Sequence, residues 1–158
     1  MRTTSNYKSI GGVESVALYP ADAVATALFS SAGCEVSLTG TPLEVELLEG
    51  HSSFEEQTKV RNGVTRISHK LRLVADRERA SAWLENSFLE RVAIEGTIAV
   101  VKLCDSRRLL VGYSALFGDE QPLRLEALTS ASGDTPHDMP TVTLELSSYD
   151  REFSQPIL

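Results

Sequence analysis

The residues best suited to chemistry include one carboxylate and one imidazole that a chain reversal would bring together. Glu56 and His69 face each other if the intervening segment forms a hairpin. Such a pair can act as a general acid–base dyad, but it is more often a satisfied polar contact at a sheet margin. We favour the second interpretation because no nucleophile motif accompanies the pair. Gly112-Tyr113-Ser114-Ala115-Leu116 lacks the second glycine of a nucleophile elbow.

Metal and disulfide chemistry have little support in the sequence. Cys34 and Cys104 lie far apart, and two cysteines form neither a disulfide scaffold nor a zinc site by themselves. The histidines His51, His69 and His137 are never spaced three or four residues apart. We therefore expect two reduced, mostly buried thiols, no metal, no cofactor and no catalytic residue, so that the protein is not an enzyme.

Length and composition describe one soluble domain. The chain has 158 residues, of which 42% are hydrophobic and 23% charged. No apolar run approaches the roughly 18 residues that span a bilayer, and the polar start lacks the apolar core of a signal peptide. A pI near 5.0 argues against general nucleic-acid binding, and we also expect no sequence-specific nucleic-acid binding. We predict a flexible N-terminal arm over residues 1–12, a single β-rich domain over residues 13–158, and no membrane partner.

The strongest local signal is the dipeptide Asn62-Gly63. Both residues tolerate the positive φ angles of a type I′ turn, which predicts a hairpin with a two-residue loop. The resulting register pairs Phe54 with Leu71, Glu55 with Lys70, Glu56 with His69, Thr58 with Ile67 and Val60 with Thr65.

A helix is predicted after the hairpin, over about residues 77–93. Asp76 is a suitable N-cap for this helix, and Gly96 is suited to the end of the helix. Apolar residues recur at three- and four-residue spacing on one face, namely Ala80, Trp83, Leu84, Phe88 and Val92. We interpret this face, including Trp83, as core rather than as a platform for a ligand.

The remaining segments are predicted to be strands joined by turns and loops. A short turn is predicted over Ala23 to Phe29, and an exposed loop over residues 132–140. Strands are predicted at 13–19, 43–47, 97–103, 109–113, 123–127 and 142–146. The predicted fold is α+β and mainly β, an antiparallel β-sandwich or barrel of about seven strands with one long central helix packed on it.

Charge is distributed unevenly along the chain, whose net charge is −7. No Lys or Arg lies between Lys8 and Lys59, whereas the segment from Lys59 to Arg79 is predominantly basic. Acidic and basic surfaces on one domain can complement each other between copies, in contacts that close into rings or grow into filaments. The alternative is that the two segments neutralise each other within a monomer.

The order of elements, together with two sequence stretches, resembles the tail-tube proteins of long-tailed bacteriophages and related contractile systems. The stretches are Gly11-Gly12-Val13-Glu14-Ser15-Val16 with Pro20-Ala21-Asp22, and the segment from Pro122 to Leu146. They are similar to the opening and the ending of small prophage-encoded virion structural proteins. The resemblance covers roughly residues 11–150.

The resemblance implies a non-enzymatic subunit that assembles with copies of itself, and with other phage structural proteins, into rings stacked as a DNA-conducting tube. It implies a location in the cytoplasm of a bacterial host, and in the virion if the prophage is active, with an acidic lumen and residues 1–12 as a contact arm. It also implies an assembly hairpin, whose residues are Phe54, Glu56, Arg61, Asn62, Gly63, Arg66, His69 and Leu71.

Two other function classes remain open from the sequence. One is a small-molecule-binding β-barrel or split-barrel domain, possibly with enzymatic activity. It requires a pocket of roughly 300–1,000 Å³ with convergent polar groups, for which Glu56, His69 and Tyr113 are the candidates. The other is a monomeric adaptor that uses its acidic N-terminal third as a docking surface. A filled interior favours the structural subunit, and an open pocket favours the ligand-binding domain.

Overall fold

The computed structural model describes residues 12–48, 50–132 and 140–158. Nearly all of the predicted arm and most of the predicted 132–140 loop lie outside the described residues. The strands are β1 Val13–Pro20, β2 Val24–Phe29, β3 Cys34–Leu38, β4 Leu43–Glu44, β5 Ser53–Arg61, β6 Val64–Asp76, β7 Thr97–Leu103, β8 Arg108–Val111, β9 Arg124–Ala131, β10 Thr141–Asp150 and β11 Gln155–Pro156.

These strands form three sheets in which every neighbouring pair is antiparallel. The four-stranded sheet has the order β5-β6-β10-β9, the five-stranded sheet has the order β11-β8-β7-β1-β4, and β2 pairs with β3. The prediction of a mainly β, antiparallel protein is confirmed. Within the described residues no sheet closes on itself, so the barrel alternative is wrong, and the strands outnumber the seven that were predicted.

The main core lies between the two larger sheets. Strand β10 alternates strictly, with Val142, Leu144 and Leu146 fully buried. They belong to one cluster with residues of β1, β6 and β7 that face them from the other strands. Because one face of β10 is apolar and the other is polar, its register fixes which face of the four-stranded sheet is buried.

The prediction of one long central helix is wrong, because the helical segment is interrupted. A 3-10 helix spans Arg79–Leu84 and a separate α-helix, α1, spans Asn86–Ile94. Glu85 between them is extended, with φ −72° and ψ 132°. Asn86 and Ser87 have side chains that compete for backbone hydrogen bonds and favour helix starts over helix interiors, which suits a second start here. No helix among the described residues has both the length and the apolar character needed to cross a membrane.

The interpretation of the helical stripe as core is nevertheless confirmed. Ala80, Trp83, Phe88 and Val92 are buried in the main cluster, and Leu84 packs against it. The break therefore changes the path of the backbone without exposing the apolar side chains. At the start, Asp76 accepts a hydrogen bond from the Arg79 N–H at 2.8 Å.

The small β2–β3 sheet belongs to a second apolar cluster. This cluster is built around Cys34, Ile98 and Leu110, all with no exposed surface. Strand β2 replaces the short turn that was predicted over Ala23 to Phe29, because its residues pair with β3 from Val24 to Phe29. Both cysteines are unbonded, and burial raises the pKa of the Cys34 thiol.

Residues 151–158 form a strap that touches all three sheets. The strap leaves β10, hydrogen-bonds β5 through Ser154, and pairs with β8 through β11. Beyond β11, Ile157 bridges to Cys34 of β3. The strap also passes close to Gly33, where a Cβ atom would lie 2.4 Å from the Pro156 carbonyl oxygen. This segment therefore couples the three sheets.

Candidate functional site: the projecting hairpin

The hairpin formed by β5 and β6 is confirmed in its turn and in its register. Asn62 and Gly63 both have positive φ, 53° and 77°, as a type I′ turn requires. Every predicted pair is observed, including Phe54 with Leu71 and Glu56 with His69. The turn dipeptide alone was enough to align nine residues of β5 with their partners.

The outer part of the hairpin projects from the body of the protein. All residues from 57 to 66 are exposed, which means that both faces of this ribbon lie in solvent. The ribbon carries three cations, Lys59, Arg61 and Arg66, and no acidic residue. Two apolar side chains are exposed beside them, Val60 at 70% and Val64 at 48%. We call residues 57–66 the hairpin tip.

One further contact organises the surface beside the tip. The Arg66 guanidinium lies 3.6 Å from the centre of the Tyr149 ring on β10. This cation–π contact joins the hairpin to the neighbouring strand where the tip leaves the sheet. None of Lys59, Arg61 and Arg66 has a carboxylate within 4 Å among the described residues.

At the base of the hairpin, Glu56 connects β5 to β6 and to the strap. Its Oε2 atom lies 2.9 Å from Nδ1 of His69, off the axis of the ring N–H, so the contact is an ion pair when the imidazole is protonated. Ser154 donates its backbone N–H to Oε2 at 2.7 Å and its hydroxyl to Oε1 at 3.0 Å. The carboxylate of Glu56 therefore links β5 to Ser154, which lies 98 positions later in the chain.

The environment of this carboxylate favours its charged form. Burial by itself would raise the pKa of Glu56, but the contacts from His69 and Ser154 together outweigh burial and lower the pKa below its usual 4.5. His69 is 4% exposed and stacks against Phe54 with 6.3 Å between ring centres. The pair is thus a partly buried contact between neighbouring strands.

The three residues considered for a ligand pocket are not brought together. Glu56 and His69 lie on the four-stranded sheet, whereas Tyr113 stacks on Phe29 with 6.1 Å between ring centres and packs against the second cluster. None of the three lines one of the five main cavities of the described residues. A substrate would therefore have no access to the Glu56–His69 pair through any of these cavities.

Acidic and basic segments pair partly within the chain. Glu46 of the acidic segment lies 2.8 Å from Arg79 of the basic segment. Glu14, also in the acidic segment, lies 3.2 Å from Lys102, which is outside the basic segment. The exposed face of the four-stranded sheet mixes both signs, with Glu55 beside Lys70 on β5 and β6. This face is not acidic, so it does not by itself provide the acidic lumen that the resemblance implies.

The contact between Ser154 and Glu56 could not be predicted from the sequence. No local pattern links a serine to a glutamate 98 positions earlier, and only the path of the strap brings them together.

Among the described residues, no group of three or more His, Cys, Asp or Glu side chains could hold a metal ion.

The comparisons with known proteins return no relative. No family model matches the chain, no curated protein matches it, and no solved structure matches it.

Proposed function

We propose that this protein is a non-enzymatic, phage-derived structural subunit of the tail-tube type, which assembles with copies of itself into rings or tubes. On this proposal it resides in the cytoplasm of a bacterial host and in the virion. The observation that carries the proposal is the pair of open edges, β5 and β9, on the four-stranded sheet. Within the described residues, neither edge strand has a second neighbour.

Strand direction supports addition of identical copies at these edges. Neighbouring strands alternate in direction along β5-β6-β10-β9, so β5 and β9 run in opposite directions. A second copy placed in the same orientation brings its β5 antiparallel to β9 of the first. The sheet then continues with unbroken antiparallel pairing, and a contact between two different edges closes into a ring when its rotation closes.

The two edge strands are similar in length and are the longest open edges of the fold. Strand β5 has nine residues and β9 has eight, whereas the five-stranded sheet ends in β11 and β4 with two residues each. Unpaired backbone groups along a long edge are a template for pairing with another chain. The four-stranded sheet is therefore better suited to lateral assembly than the five-stranded one.

The filled interior also supports a structural role. Leu71, Leu73, Trp83 and Leu144 lie between the sheets and are at most 1% exposed. Close-packed side chains leave no room there for a small molecule. A ligand-binding barrel would need an open interior in the place that these residues occupy.

Sedimentation velocity over a concentration series, with electron microscopy of the same samples, tests the proposal. We expect concentration-dependent species larger than a monomer, and rings or tubes in the images, at physiological salt. A chain that stays monomeric at high concentration contradicts the proposal.

Two adjacent proline variants in β9 test the edge itself. Successive N–H groups along an edge strand point alternately toward the paired strand and toward the open side. Of Thr129→Pro and Ser130→Pro, one removes an N–H on the open side, which an edge strand tolerates, and the other removes a bond to β10. We expect the tolerated variant to keep its unfolding temperature and to lose assembly.

The matched control is Ser130→Ala, which keeps the backbone N–H and removes the hydroxyl that accepts a bond from Arg77 at 2.8 Å. It should assemble like the unmodified chain. If the tolerated proline variant also assembles normally, the β9 edge is not the contact.

A further inference from the structure

A cavity of about 490 Å³ opens on the outer face of the five-stranded sheet, away from the main core. Its floor is made by residues of β1, β7 and β8, with Glu44 of the edge strand β4 at the margin. The rest of the lining comes from β3 and the strap, which are joined by the bridge between Cys34 and Ile157. Its volume is within the usual range for small-molecule sites. The lining residues are Ser15, Ala17, Tyr19, Val36, Leu38, Glu44, Val100, Lys102, Arg108, Ile157 and Leu158.

The strand register orders the floor of this cavity into a polar end and an apolar middle. Ser15 pairs with Lys102, and Lys102 pairs with Arg108, so these three side chains form one row across the sheet. The next row places Ala17 between Val100 on β7 and Glu44 on the edge strand β4, so Ala17 and Val100 are its apolar part. From Ser15 to Tyr19 the floor extends about 14 Å, at roughly 3.4 Å per residue.

The walls continue the apolar middle of the floor. Val36 and Leu38 of β3 and Ile157 of the strap all line the cavity. These three side chains are partly buried. An alkyl chain lying on the floor would therefore contact apolar groups of the floor and of these walls.

The polar end of the floor holds two cations, and a carboxylate of the chain neutralises only one of them. Lys102 and Arg108 are cross-strand neighbours of like charge, a pairing that is unfavourable in a sheet. Glu14 compensates Lys102, with its Oε2 atom 3.2 Å from Nζ. Arg108 has no carboxylate within 4 Å among the described residues, although the chain as a whole carries a charge of −7.

We infer that this cavity is a binding site for a medium-chain alkyl carboxylate. The carboxylate would pair with the Arg108 guanidinium beside Lys102, where a negative charge relieves the repulsion between the two cations. The alkyl chain would lie over Ala17 and Val100, in contact with Val36 and Ile157. This site is separate from the hairpin and from the β5 and β9 edges, so it does not depend on the proposed assembly.

Isothermal titration calorimetry with decanoate, below its critical micelle concentration, tests the site. We expect saturable binding of one decanoate per chain, with chemical-shift changes in an amide NMR spectrum confined to residues of β1, β3, β7, β8 and the strap. Arg108→Gln should weaken binding by about tenfold or more, because it removes a charge-assisted hydrogen bond. Val36→Ser should weaken binding by a smaller factor.

Arg124→Gln is the matched control, because Arg124 is an exposed cation on the other large sheet. Its decanoate affinity should equal that of the unmodified chain. Shortening the probe to hexanoate should lower affinity by about twofold to fourfold per methylene removed.

Three results would overturn the assignment. The first is the absence of saturable decanoate binding. The second is equal affinity for decyltrimethylammonium, which has the same tail and the opposite charge, or for inorganic phosphate, which has no tail. The third is an unchanged affinity in Arg108→Gln.

Discussion

The carboxylate of Glu56 lies 2.9 Å from the imidazole of His69 on the neighbouring strand, and both side chains face the buried side of the sheet. A third partner, Ser154, satisfies both carboxylate oxygens from the strap. This arrangement ties the base of the projecting hairpin to the segment that joins the three sheets. Three of the predictions below concern this hairpin.

Removing the charge of Glu56 should destabilise the fold. In Glu56→Gln the side chain keeps its shape, but the negative charge beside His69 and Ser154 is lost and one acceptor oxygen becomes an amide donor. We expect the free energy of unfolding to fall by about 1–3 kcal/mol. Urea denaturation measures the change. Glu55→Gln, on the exposed face of the same strand, is the control and should change stability by less than about 0.5 kcal/mol. Equal effects of the two substitutions would show that the contacts of Glu56 with His69 and Ser154 do not stabilise the fold.

The same carboxylate should make stability depend on pH in the acid range. Its pKa is lower in the folded protein than its usual 4.5, so its contribution is complete above that value and is lost as the pH falls through the folded pKa. Between pH 5 and pH 3, the unmodified chain should therefore lose more stability than Glu56→Gln. Urea denaturation at several pH values checks this. Parallel pH profiles for the two proteins would contradict it.

Local signals predicted the hairpin well because its register needs only a turn and an alternating pattern. Asn62 and Gly63 fix the loop, and the pairing of β5 with β6 follows residue by residue. The helical segment was harder. A 3-10 helix followed by a short α-helix buries the same stripe as one continuous helix, so periodicity does not distinguish them. The extended conformation of Glu85, with φ −72° and ψ 132°, therefore does not follow from the periodicity.

The strand β3 and the strap were not predicted from the sequence, for two different reasons. Cys34–Leu38 alternates apolar and polar residues, so a signal for β3 was present although no strand was predicted there. The strap carries no such signal, because β11 has only two residues and its partners are distant in sequence. Ser154 could be placed near Glu56 only once the path of the strap was known.

Gly96 should be far more sensitive to substitution than Gly40. Both glycines have φ of +84°, so an added Cβ strains the backbone equally at the two positions. At Gly96 that Cβ would also lie 2.5 Å from Cγ of Pro122 and 2.9 Å from the Leu123 carbonyl oxygen, whereas at Gly40 it meets open space. We expect Gly96→Ala to cost about 1–3 kcal/mol more than Gly40→Ala, measured by thermal or urea unfolding. Equal costs would show that the contact with Pro122 relaxes freely.

Replacing Asn62-Gly63 by Val-Val should impair assembly more than folding. Both positions have positive φ, and β-branched residues resist that conformation by about 1–2 kcal/mol each. Because the hairpin tip is exposed on both faces, the distortion stays outside the main core, and the chain should still fold, with an unfolding temperature lower by roughly 4–16 °C. Sedimentation velocity should show a clear shift toward smaller species. Thr65→Val, a β-branched substitution within the regular strand, is the control and should assemble normally. Undiminished assembly of the Val-Val variant would exclude the hairpin tip from the contact between copies.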